Sequence, residues 1–328
     1  MKTILAGFAA AMLTTAAYAQ DAGPAIVYDL GGKFDKSFNE AAYNGAERFR
    51  EATGTEYAEF EIQNDAQREQ ALRRFADRGH SPVVMAGFSY GNALSAVAPE
   101  FPDTQFVIID SVVEGDNVRS VVFKEHEGSY LAGVAAAMAA ESDIVGFVGG
   151  MDIPLIRRFA CGYVGGAKSA GATEVLENMT GTTGAAWNDP VRGGELTRNQ
   201  ISQGADVVYH AAGGTGVGVL QAAADEGKLG IGVDSNQNGL QPGSVLTSML
   251  KKVDVAVEEA MTDAANGEFT TGVEVLGLAE GGVDLAMDEN NQPLVSEEMM
   301  AAIQSAREGI VSGEIVVHDY MSDENCPY

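Results

Sequence analysis

The segment Asp29-Leu-Gly-Gly-Lys-Phe-Asp35-Lys-Ser37-Phe38-Asn39 gathers carboxylates, an aromatic face and an amide within one glycine-bent turn. It follows the apolar run 25–30 and precedes an amphipathic helical pattern. That places it at the carboxyl end of a first strand, where open α/β sheets bind their ligands. Ser37 followed three residues later by Glu40 reads as a capping box, which starts a helix at Phe38 and leaves Asp35, Phe38 and Asn39 at its N-terminal mouth. An aromatic face beside an amide and a carboxylate suits a flat polar heterocycle, so the chemistry expected here is recognition.

Other apolar runs end in similar small or polar clusters: Ala86-Gly87-Phe88-Ser89-Tyr90-Gly91, Ile109-Asp110-Ser111, Ala212-Gly213-Gly214-Thr215-Gly216, Val233-Asp234-Ser235-Asn236 and Thr247-Ser248-Met249-Leu250-Lys251. Asp110, Asp234 and Lys251 can accept from and donate to hydroxyls, a sugar-like demand, while Gly87 and Gly213 let backbone approach a ligand closely. Two of these clusters imitate enzymes. Gly87-Phe88-Ser89-Tyr90-Gly91 fits the G-x-S-x-G elbow of a serine hydrolase, but the upstream glycines sit at 31 and 32 rather than in an oxyanion segment, and His318 is the only late histidine. Gly213-Gly214-Thr215-Gly216-Val217-Gly218 has the spacing G-x-G-x-G, not the G-x-G-x-x-G of a dinucleotide fold. The four histidines, 80, 126, 210 and 318, show no metal-ligand spacing, so neither metal nor cofactor is expected.

These clusters must be held by an alternation of strands and helices. Strands are expected at 25–30, 82–87, 105–109, 120–124, 144–148, 207–210, 230–233 and 245–249. Helices are expected at 38–53, 67–78, 92–98, 127–140, 157–170, 189–203, 216–226 and 253–266. The rhythm specifies an α/β fold with parallel sheets covered by helices on both faces. Two such sheets fit better than one of eight or more strands, with a break near 124–128. The tail departs from the rhythm: a strand at 283–287, a turn at 288–291, a helix at 296–311 and a last strand at 315–317.

At the amino end, Lys2, the apolar stretch 4–13 and Ala17-Tyr18-Ala19 read as a cleavable signal peptide over residues 1–19. No cysteine follows the cleavage site, so a secreted or periplasmic protein without a lipid anchor is expected. The chain carries 47 acidic against 20 basic residues, a formal charge of −27, which argues against nucleic acid as a partner. Its two cysteines, Cys161 and Cys326, are expected to pair in an oxidising compartment and to tie down the tail.

With these features assembled, the chain resembles the basic membrane protein family of ABC-transporter solute-binding proteins, in its PnrA-like, purine-nucleoside-binding group. The likeness rests on Asp29-Leu-Gly-Gly with Asp35-Lys-Ser-Phe-Asn39, Gly87-Phe88, Phe106-Val-Ile-Ile-Asp110, Arg158-Phe159 with Gly162-Tyr163, Trp187-Asn-Asp-Pro190, Ala212-Gly-Gly214, Ile231-Gly-Val-Asp234 and Thr247-Ser-Met-Leu-Lys251, in that order. The resemblance implies a type I periplasmic binding protein: two doubly wound lobes joined by three crossing segments, with ligand trapped between them. One lobe would comprise 20–125 plus about 250–280, the other 126–249 plus about 281–328. It implies Phe38 and Trp187 as stacking groups, Asn39 and Asp110 as partners of base or sugar, and Asp234 and Lys251 as partners of ribose hydroxyls, with Asp35, Gly87, Phe88 and Gly213 completing the site. It also implies a monomeric receptor whose partners are a membrane permease and its ATPase. Many relatives carry an anchoring cysteine that this chain lacks. Hand-over to a signalling receptor, or a nucleobase or flavin in place of the nucleoside, would use the same groups, and serine hydrolysis through Ser89 is the remaining alternative.

Overall fold

The structure, a computed structural model, describes residues 22–328; the signal peptide expected over 1–19 lies outside them. Short runs that are apolar at every position become the strands at the centre of the molecule. Strands β1 (Ala25–Tyr28), β3 (Val83–Ala86) and β4 (Phe106–Ile109) are buried on both faces, as a parallel sheet covered by helices demands. With β2 (Ala58–Glu61), β5 (Val118–Phe123) and β11 (Gly272–Leu276) they form a six-stranded sheet of order β11-β5-β4-β3-β1-β2. All its pairings are parallel.

A second sheet repeats the plan. Strands β6 (Ile144–Met151), β7 (Glu174–Gly181), β8 (Val207–Ala211), β9 (Leu229–Asp234), β10 (Val245–Lys251) and β12 (Val283–Leu285) run in the order β12-β10-β9-β8-β6-β7. Among the described strands of this sheet only β12 is antiparallel to its neighbour, with Met249 opposite Leu285. Each strand from β1 to β5 thus has a counterpart five strands later in the chain. Matching strand ends of the two sheets therefore occupy matching places.

The connecting helices are α1 (Phe38–Thr53), α2 (Gln67–Asp77), α3 (Gly91–Val97), α4 (Glu125–Ala139), α5 (Pro154–Ser169), α6 (Pro190–Ser202), α7 (Thr215–Asp225), α8 (Val253–Asn266) and α9 (Glu297–Ser312). The chain passes between the sheets after β5, after β10, and between β11 and β12. Helix α8 returns to the first sheet and packs on α1, where Arg48 pairs with Asp254 and Glu258. Helices α4 and α5 lie close together, with Gly133 facing backbone of α5 and Gly162 and Gly166 facing backbone of α4.

The α/β architecture follows the expected alternation, but β2, β7 and β11 were not anticipated. They lie at sheet edges and read Ala-Glu-Phe-Glu, Glu-Val-Leu-Glu-Asn-Met-Thr-Gly and Gly-Val-Glu-Val-Leu. An edge strand buries less of itself, so charged residues interrupt the apolar signal. Residues 315–317, expected as a final strand, form none; the Ile315 amide instead donates to Gly309 of α9 at 2.9 Å. The tail beyond is not left loose. The sulfurs of Cys161 and Cys326 stand at bonding distance with Cα atoms 5.6 Å apart, and Tyr328 Oη accepts from the His318 amide at 2.9 Å.

Candidate functional site

Helix α1 begins at Phe38 as expected, but the capping box does not form. The group that caps it is Asp35, whose carboxylate accepts from the amides of Ser37 (2.8 Å), Asn39 (3.0 Å) and Glu40 (3.1 Å). Glu40 reaches the Lys36 amide instead of that of Ser37. A carboxylate two residues upstream is the stronger acceptor for these N–H groups, which releases the Ser37 hydroxyl. It donates across to Asp234 Oδ2 at 2.5 Å, on the second sheet.

The rest of the 29–39 turn is braced from within. Asn39 Oδ1 accepts from the Asp29 amide at 3.1 Å, and its Nδ2 donates to the carbonyls of Asp29 and Gly32 at 3.2 Å each. Asp29 is itself held by Arg68 at 2.5 Å and by the Ser89 hydroxyl. At Gly87, with φ at 130°, a side chain would collide with the Asp29 carboxylate. Asn39 therefore fixes the shape of the turn while one lone pair of its amide oxygen remains available.

Asp110 and Asp234 stand at matching ends, just after β4 and at the close of β9. Both have left-handed backbone, φ 70° and 63°, a conformation that aspartate tolerates better than most residues. The bend turns each strand end toward the space between the sheets. Lys251 closes β10, its side chain 2% exposed. It donates to Asp110 Oδ2 at 2.6 Å, pairs with Glu125 at 2.9 Å, and lies 5.1–5.6 Å from the ring centres of Phe38, Phe123 and Phe159. Trp187 ends a short turn after β7, with its ring against Gly150 and its backbone against Gly213 and Gly214.

These pieces line one cavity. Asp35, Phe38, Asn39, Gly87, Phe88, Asp110, Trp187, Gly213, Asp234 and Lys251, all named from the sequence, face it together. Its atom-free space is about 590 Å3, counting the mouth that opens to solvent, within the range of small-molecule sites. Leu155, Ile156 and Phe159 at the start of α5 also line it and were not expected. Their signal was positional: α5 follows β6 just as α1 follows β1. Aromatic walls thus come from both halves, Phe38 and Phe88 from one, Phe159 and Trp187 from the other.

The polar floor is rich in acceptors. Burial pushes the Asp110 carboxyl up to about 6, with Lys251 opposing the rise. Asp234 is raised too, first by burial, and burial takes Asp35 to about 7 against the pull of its three amide donors. Burial works against the Lys251 ammonium, but Asp110, Glu125 and Asp234 more than offset it and hold its pKa above that of an ordinary lysine. Asp110 Oδ1 is buried and has no hydrogen-bond partner among the described residues. An orphaned acceptor in a cavity asks for a donor from a ligand.

The hydrolase elements do not assemble. The Ser89 hydroxyl donates to Asp29, and His318 pairs with Asp323 in the tail at 3.0 Å. Gly213, at φ 56° beside Trp187, and Gly214 form the turn that leads into α7, and Gly216 and Gly218 lie in its first turn.

Over residues 25–320 the sequence matches a family model described as Bmp, ABC transporter substrate-binding protein PnrA-like. It is 33% identical over 321 residues to the ABC transporter nucleoside-binding protein BmpA of Lactococcus lactis, spanning 90% of this chain and 89% of that one. It is 31% identical over 316 residues to a CD4+ T-cell-stimulating antigen of Listeria monocytogenes, spanning 89% and 87%. Among solved structures, an ABC transporter system solute-binding protein from Aeropyrum pernix matches with a TM-score of 0.83 at 30% identity, covering 90% of this chain and 93% of the other. Together with the two-sheet architecture and the cavity between the sheets, these likenesses establish that the chain belongs to the Bmp family of PnrA-like ABC transporter substrate-binding proteins.

Proposed function

We propose that this protein is a periplasmic receptor that captures a purine nucleoside between two lobes and delivers it to a membrane permease. The lobes are 20–125 with about 250–280, and 126–249 with about 281–328. The observation that carries the reading is Asp110 Oδ1, which has no partner among the described residues and is buried in a cavity walled by Phe38, Phe88, Phe159 and Trp187. Rings on both sides suit a flat base, which gains roughly 1 to 3 kcal/mol per aromatic contact. Carboxylates of Asp110 and Asp234 suit ribose hydroxyls or ring N–H groups, which donate, and they oppose a phosphate. The name of the Lactococcus relative lends the nucleoside independent support.

Calorimetry on the secreted protein with inosine, adenosine, guanosine, hypoxanthine, riboflavin, ribose and inosine monophosphate tests the reading. A nucleoside should bind with one-to-one stoichiometry and more tightly than base, flavin, sugar or nucleotide. Phe38→Ala and Asp234→Ala should each weaken it tenfold or more, at about 1.4 kcal/mol per decade. Tighter binding of hypoxanthine or riboflavin would replace the nucleoside, and wild-type affinity in both variants would remove the site.

A further inference from the structure

The C-terminal tail is joined to the cavity by a line of alternating charges. Asp319 receives both Nε and Nη2 of Arg158 at 2.7 Å each, a two-point fork. Arg158 Nη1 donates to Glu125 Oε2 at 3.0 Å and to the Phe123 carbonyl at 2.8 Å. The other oxygen of Glu125 lies 2.9 Å from Lys251 Nζ, and Lys251 holds Asp110. Glu125 is 0% exposed and stands at the first crossing between the sheets, while Lys251 stands at the second. Cys161, whose sulfur meets that of Cys326, lies one turn beyond Arg158 on α5. The tail is therefore fastened to the face of α5 that carries the arginine.

We propose that Asp319 and Arg158 are positioning residues for the ligand site, and that the tail governs through them how firmly Lys251 is held on Asp110. The proposal rests on the cavity being the ligand site. Without Asp319, the half-buried Arg158 is no longer held in one plane and is drawn toward solvent. Glu125 then keeps Lys251 as its sole cationic partner and pulls it from Asp110. An Asp110 deprived of its ammonium takes up a proton more readily, and the neutral carboxyl accepts from the ligand more weakly than the carboxylate. The charged and titratable groups around this line are Asp234 beside Lys251 and Asp110, and His126 beside Arg158 and Asp319, with Glu127 beside His126. Burial lowers the His126 pKa, which disfavours the cationic imidazole as a substitute for Arg158.

Carboxyl-labelled aspartate NMR on the unliganded full chain reads the Asp110 titration directly, and inosine calorimetry at pH 6 reads its consequence. In Asp319→Asn the Asp110 midpoint should rise by about one pH unit, which at pH 6 takes its ionised fraction from about one half to about one tenth and weakens inosine binding about fivefold. Asp319→Glu should restore most of both. Arg158→Leu should reproduce the effect of Asp319→Asn wherever it folds, and Asp319→Asn, at a partly exposed position, serves where it does not. An unmoved Asp110 midpoint overturns the proposal, as does a moved midpoint with undiminished inosine affinity. A moved midpoint in a protein whose wild type ignores inosine leaves the charge line standing and removes the nucleoside reading instead.

Discussion

Asp110 commits one oxygen to Lys251 and leaves the other facing the cavity without a partner among the described residues, so its ionisation decides how well the site can accept. Burial raises this carboxyl to about 6 in the unliganded protein. The ionised form is the stronger acceptor for a donor from the ligand, so affinity is full above about pH 7 and falls as pH drops through the raised value, by at most tenfold per unit below it. Calorimetry from pH 7.5 to pH 5 should show that loss in the wild type, and Asp110→Asn should bind more weakly at pH 7 while losing the part of the slope centred near 6. A wild-type affinity unchanged across this range would mean that the carboxyl meets no donor. Phe38, Asp110, Asp234 and Lys251 were legible in the sequence because each ends or follows an apolar run. Phe159 was not, since an aromatic residue inside a helical pattern reads as core. Glu125 was hidden in another way: it fell between the strand expected at 120–124 and the helix expected at 127–140, where an acidic residue reads as ordinary complement to the helix dipole.

For the elements, the start of α1 shows how a helix boundary can be read correctly for the wrong reason. Ser37 and Glu40 have capping-box spacing, yet Asp35 takes the amides and the Ser37 hydroxyl turns across to Asp234. The competition between two capping groups is settled by the turn between the sheets, which no local pattern records. Buried strands such as β1 and β4 were legible because both their faces are covered; β2, β7 and β11 were not, because edges admit glutamate. The cap makes a testable statement about stability. Burial first, with the charge of Asp234 adding to it, raises Asp35 to about 7 despite its amide donors, above the value near 3.9 of an unfolded chain. The native state therefore binds more protons than the unfolded state between about pH 4 and pH 7, and this group's contribution to stability is lost as pH rises through that window. Asp35→Asn resembles the protonated acid and has no such loss. Thermal unfolding of the unliganded protein should show the variant gaining on the wild type from pH 5 to pH 8. A wild type that gains on the variant would mean that the amide donors outweigh burial.

At the scale of the whole molecule, the turn between β1 and α1 rests on the second sheet through contacts separate from those that line the cavity. Ser235 Oγ donates to the Ser37 carbonyl at 2.9 Å, and Gln237 Nε2 donates to the Lys36 carbonyl at 2.8 Å. Neither Ser235 nor Gln237 lines the cavity, yet both bonds join the two halves that a ligand would bridge. Gln237 is positioned for this by Val233 and His210, to which its other amide atom is bonded at 2.9 Å each. A receptor that opens and closes has an apparent affinity reduced by the fraction of molecules in the closed form. Each bond between the halves contributes about 0.5–1.5 kcal/mol to that form. Where the open form dominates without ligand, the whole of this contribution appears in the affinity. The double variant Ser235→Ala with Gln237→Ala should then bind inosine about tenfold more weakly, mainly through faster release. Small-angle scattering should show the same compact liganded shape, reached only at higher inosine concentration. An unchanged affinity in the double variant would mean either that these bonds persist in the unliganded protein or that they carry no closing energy. Scattering of the unliganded wild type separates the two, since a free protein already as compact as the liganded one identifies the first and an expanded one the second.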